Sequence, residues 1–242
     1  MPRFPVSRLA VALAPIVLAG SLVAARAEAP SFDCARSTGP VEKAICRSPR
    51  LARLDLRIDA AYRRAMRAWR DDPLTREALR SAQRDLLDRR DAALAEPDDG
   101  LARLLEEQAT FLEAIDAAPR HGFAGEWGNL TAGIRIEPTA AGIAVWGNRV
   151  EPVRFRWVCD IDDLGVVVDA ALVSPPAAAT GARADWSIRL ERHGAAVRVR
   201  EVGPAGTETL PDGTAVEQSP RCGRGGRFDG IYFPTRATMR TR

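Results

Sequence analysis

Four cysteines, two histidines and a set of clustered acids and indoles are the residues of this chain that could do chemistry. Cys34, Cys46, Cys159 and Cys222 are even in number and lie two in each half. In an oxidising compartment such a set reads as disulfides, for which three pairings exist. Pairing Cys34 with Cys46 and Cys159 with Cys222 keeps each bridge within one half. Zinc would want closely paired ligands, and the chain has no Cys-x-x-Cys and only the distant His121 and His193. Asp160-Ile161-Asp162-Asp163-Leu164-Gly165 opens like a calcium loop, but Leu164 and Ala171 occupy ligand positions, so it reads as a polar hairpin turn.

Hydrolysis would need a nucleophile with a positioned base, or two carboxylates facing a cleft. His121 falls at a junction and His193 beside Gly194 in an expected hairpin, both surface positions. Neither a phosphate loop nor a dinucleotide fingerprint occurs, and Gly223 to Gly226 lacks the strand–loop–helix setting. The expectation is therefore no enzyme and no cofactor. Trp127, Trp146, Trp157 and Trp186 could stack on sugars if exposed, although indoles inside a small barrel are the commoner use.

The elements that must carry these residues follow from periodicity. Arginines precede an apolar run of 15 residues, Leu9 to Val23, and Ala25-Arg26-Ala27 follows it. This order predicts a secretory signal over 1–27, cut after Ala27, and a periplasmic or secreted product with no stable membrane span. No cysteine follows the run to carry a lipid. The formal charge of +3 owes everything to Arg3, Arg8 and Arg26 in this leader. Without them the chain is neutral, which argues against nucleic acid as a partner.

From Pro40 to about Ala118 the period is helical. Ser48-Pro49 and Asp72-Pro73 read as helix starts, an N-cap followed by proline. Leu51, Leu54, Ile58, Tyr62, Ala65 and Trp69 form one stripe. Leu79, Leu86, Leu87 and Leu94 mark a second, and Leu101, Leu104, Leu105, Phe111, Leu112 and Ile115 a third. Beyond Gly122 short alternating runs take over: Val153 to Cys159, Trp186 to Leu190 and Ala195 to Val202, with Val166 to Val173 a continuous apolar strand. Ser174 to Gly181 is a loop. The fold class expected is α+β with two domains. Residues 28–120 form an antiparallel helical bundle with a disulfide, and 121–242 an antiparallel β barrel or sandwich.

One stretch is more specific. Phe32-Asp33-Cys34-Ala35, Pro40-Val41-Glu42-Lys43-Ala44-Ile45-Cys46, Leu54-Asp55 and Tyr62, followed by Gln83-Arg84 and Arg89-Arg90-Asp91, resembles the N-terminal domain of the LprI family of lysozyme inhibitors. The match covers residues 32–93, and the strand half lies outside it, although Cys222-Gly223 and Phe228-Asp229-Gly230-Ile231-Tyr232 look like tails that accompany this domain. The resemblance implies a small helical, disulfide-bearing, exported bacterial domain. Members often carry another cysteine after the Arg-Asp pair; here Ala92-Ala93 follow, which supports Cys34 pairing with Cys46. The expected function is a lysozyme-inhibitor-like, protein-binding module of the cell envelope. Its partner would be lysozyme or another envelope protein, and its binding loop would use Arg36, Ser37, Thr38 and Lys43. The competing reading is a carbohydrate- or peptidoglycan-binding or structural envelope protein, with the strand half as the active part.

Overall fold

A computed structural model of the chain describes residues 29–175, 186–203 and 219–236. The expected signal segment and most of the loop after Ser174 lie outside the described residues. A 3-10 turn, Cys34–Arg36, leads into four helices: α1 Pro40–Arg47, α2 Pro49–Ala68, α3 Pro73–Leu94 and α4 Gly100–Ala114. Eight strands follow: β1 Gly125–Gly128, β2 Ala132–Thr139, β3 Gly142–Val150, β4 Val158–Val168, β5 Ala171–Ser174, β6 Ser187–His193, β7 Ala196–Val202 and β8 Gly230–Thr235. Each pairs antiparallel with the next, and β8 returns to β1, closing a barrel. Of the two architectures the alternation allowed, closure selects the one without free edges.

The helix starts form as their sequences dictate. Ser48 Oγ accepts from the Leu51 amide and Asp72 from the Thr75 amide, and Pro49 and Pro73 occupy the first turn. Of the first stripe, Leu54, Ile58, Ala65 and Trp69 are buried, and Leu51 and Tyr62 pack partly buried against them. Leu101, Leu104, Leu105, Leu112 and Ile115 are buried in turn. Leu87 departs from its expected stripe and is 56% exposed, one position round the helix from the buried Leu86. The helical core takes in Phe233 and Ala196 from the barrel. Phe233 lies between Trp69, stacked at 5.8 Å, and Phe111 at 6.0 Å. The barrel has its own interior of Trp127, Ile134, Ile136, Leu172, Leu190, Phe228 and Tyr232.

Three sequence expectations in the barrel are corrected. Val153 to Trp157 is not strand: the Glu151 carboxylate accepts the amides of Val153 and Arg154, drawing the chain out of the ladder, and Phe155 has φ of 53°. Asp160 to Gly165 is not a turn but the middle of β4, paired residue for residue with β3. Val166 to Val173 is not one buried strand. Asp169 and Ala170, at φ of 48° and 63°, turn the chain between β4 and β5. Val166, Val167 and Val168 are left exposed.

Candidate functional site

The Cys34–Cys46 and Cys159–Cys222 disulfides are both formed. The first closes the segment that carries the expected binding loop. Asp33 caps the 3-10 turn through the Ala35 amide at 2.9 Å, and the Ser37 amide donates to Cys34 O. Gly39-Pro40 then starts α1. The bridge and these local bonds fix a rim over a groove of about 680 Å³. Arg36, Ser37 and Thr38 line one side; Leu87, Asp88 and Asp91 of α3 line the other. The structure thus brings together three of the four loop residues. Lys43 is exposed on α1 and does not line the groove.

The motif residues downstream of the rim do internal work. Arg90 lies in the groove wall and donates to Gln108 Oε1 at 3.1 Å, and Gln108 donates to Gln83 Oε1 at 2.7 Å. Burial draws the Arg90 guanidinium below the ordinary arginine value, against the pull of Asp55 and Glu42. Asp55 accepts from the Ser31 amide at 2.7 Å and so ties the incoming chain to α2. Gln108 carried no sequence signal. It sits on α4 within an apolar stripe, and only its burial against Arg90 and Gln83 reveals it.

The four barrel indoles divide. Trp127 and Trp186 are buried, Trp127 donating to Phe123 O at 2.6 Å. Trp157 is half-buried over Gly223 and Gly226, beside the second disulfide. Trp146 is half-buried on the outer wall, in a groove of about 500 Å³. Register places it beside Arg135 of β2 and Asp162 of β4, with Glu126 of β1 beyond Arg135. Asn148 and Asp160 form the next row, opposite Gly133. Burial raises the Glu126 carboxyl above its ordinary value, with Arg135 opposing and Glu137 adding to the rise.

At one end of the barrel a buried polar cluster braces the chain around Cys222. The Arg221 side chain is 0% exposed, donates to Asp163 at 2.9 Å and 3.2 Å, and reaches Trp186 O at 3.2 Å. Glu201 accepts from Ser219 Oγ at 2.6 Å and from the Phe228 amide at 3.1 Å. Each bond is internal, so the cluster reads as structural. His121 is exposed. His193 is in the β6–β7 hairpin, where its carbonyl accepts from Thr75. Burial, then Arg198, draws its imidazole below the ordinary value, with Asp72 opposing. Among the described residues no group of His, Cys, Asp and Glu could hold a metal ion, and no helix is long and apolar enough to cross a membrane. Compared with known proteins, the chain matches no family model, no curated protein and no solved structure.

Proposed function

We propose that this chain is an exported cell-envelope module that docks a protein partner through the Cys34–Cys46 rim. Lysozyme is the partner that the LprI resemblance implies. We read the helical part as an antiparallel bundle serving as the scaffold of that rim. The observation that carries the proposal is the rim itself: a covalently closed, exposed segment presenting Arg36 and Thr38 at a groove with room for a partner's side chains. A fixed loop loses little entropy on docking. A guanidinium and a hydroxyl are suitable donors to the two carboxylates of a glycosidase cleft. Two disulfides fit an oxidising compartment, in keeping with export.

Lysis of peptidoglycan by a c-type lysozyme, measured against increasing amounts of residues 28–242, tests the proposal. Inhibition that is relieved by Arg36→Ala with Thr38→Ala is the expected result. An absence of both inhibition and complex at micromolar protein overturns lysozyme as the partner. The carbohydrate reading keeps a basis at Trp146 alone, since Trp127 and Trp186 are buried and Trp157 packs against the strap at Gly223 and Gly226. A pulldown on insoluble peptidoglycan without lysozyme tests that reading.

A further inference from the structure

The outer wall of β1 to β4 flanks the Trp146 indole with a cation on one side and with carboxylates alone on the other. On the β2 side the Arg135 guanidinium lies 5.8 Å from the centre of the Trp146 ring. It is held there by Glu126, at 3.6 Å, and by Glu137. A cation on an indole, neutralised by two carboxylates, is a stable arrangement. On the β4 side of the same ring stand Asp162, directly opposite Trp146, and Asp160, opposite Asn148. Both are exposed, and neither makes a side-chain hydrogen bond or ion pair among the described residues. All of these side chains line the one groove of about 500 Å³. It holds four carboxylates against the single charge of Arg135.

We infer that this wall docks a basic side chain, arginine or lysine, of a protein partner, seated on the β4 side of Trp146 between the indole and the carboxylates of Asp160 and Asp162. Three features select this occupant. The charge excess in the groove calls for a cation. The ring already carries a guanidinium on its other flank, which shows that its surroundings suit one. Asn148 offers an amide at the far edge, which can accept from a guanidinium or ammonium that overreaches the two aspartates. A neutral sugar would use the indole and Asn148 but leave the charge excess unanswered. The inference does not depend on the rim being used, because no rim residue lines this groove.

Hexa-arginine peptide titrated into residues 28–242 by calorimetry is the test, with hexa-glutamate and chitohexaose as comparison probes. Expected are binding of hexa-arginine that weakens as salt rises, none of hexa-glutamate, and at least a tenfold loss in Asp160→Asn with Asp162→Asn. Asp88→Asn, which removes a carboxylate from the groove under the rim, leaves the binding unchanged, which separates this surface from the rim. Because the asparagine variant could alter the barrel, the unchanged chain supplies a second readout. The Trp146 indole N–H resonance, identified by its loss in Trp146→Phe, shifts on adding the peptide. The inference is overturned if hexa-arginine does not bind, binds equally to the double variant, or leaves that resonance in place. It is overturned equally if chitohexaose moves the resonance and hexa-arginine does not.

Discussion

Replacing Phe233 by alanine tests whether the helices and the barrel are one folding unit. Phe233 belongs to β8, yet its buried ring is part of the helical core, against Trp69 and Phe111. Polar links surround it. The Asp116 amide donates to Pro234 O and the Arg236 amide to Ala114 O, each at 2.9 Å, and the Ala195 amide donates to Asp72 at 2.6 Å. Removing a fully buried phenylalanine ring costs about 4 kcal/mol where the site cannot collapse. Here the ring is gripped by two elements, so collapse would require the helices to move relative to the barrel. For a chain of this size that loss corresponds to roughly 12 °C in Tm. Urea unfolding followed by far-ultraviolet circular dichroism reports the helices. Tryptophan emission reports mostly the barrel, which holds four of the five indoles. The unchanged chain is expected to give coincident transitions. In Phe233→Ala both midpoints fall and the two signals separate; Phe233→Leu recovers most of the loss. A cost below about 1 kcal/mol, or transitions that are already separate in the unchanged chain, would refute the shared-core argument.

Two further outcomes follow from carboxylates held by internal bonds. Asp72 is pushed up by burial, but bonds from the Thr75 hydroxyl and amide and the Ala195 amide outweigh this and hold its carboxyl below the ordinary 3.8. Its contribution is therefore present above that value and lost as pH falls through the lower folded value. The melting temperature of the unchanged chain should drop in acid, and Asp72→Asn should be less stable at neutral pH with a shallower acid slope; equal slopes contradict this. Arg221→Met leaves the largely buried Asp163 without its cation and should cost roughly 3 kcal/mol in denaturant titrations. Adding Asp163→Leu should restore part of that, and strictly additive losses would show that the pair is not coupled.

The helical half was legible because its signals are local. A capping side chain followed by proline fixes a helix start within three residues, as at Ser48-Pro49 and Asp72-Pro73. The stripes then follow from the 3.6 period, with Leu87 misjudged because it lies about 100° round α3 from the buried Leu86, on a side that is left exposed. In the strand half alternation located most buried positions, such as Ile188, Leu190, Val197 and Val199. It failed where composition and conformation part company. Asp160 to Gly165 has the residues of a turn, but Ile161 points inward between two outward aspartates, which a strand accommodates. Asp169-Ala170 is the true turn, carried by two residues in left-handed backbone conformation rather than by glycine. Glu201 shares the inward parity of Val197 and Val199, and its burial is satisfied by bonds from Ser219 Oγ and the Phe228 amide that alternation cannot show.

The barrel wall could not be read from sequence at all, for a related reason. Glu126, Arg135, Trp146 and Asp162 lie 9, 11 and 16 residues apart in turn and become neighbours only through the register of four strands. At about 4.8 Å between strands they span roughly 14 Å, the reach of a partner's surface loop rather than of a single contact. Net charge hides such an arrangement. Residues 28–242 sum to zero charge and exert no long-range pull, but screening at physiological salt confines any field to about 8 Å anyway. What a docking partner meets is the local balance. In the groove beside Trp146 that balance is acidic, and at the rim it includes Arg36 facing Asp88 and Asp91 across the cleft. Overall neutrality therefore argues against a polyanion as partner without arguing against a basic protein. The physical quantity that decides is how many carboxylates a surface of that size leaves unpaired.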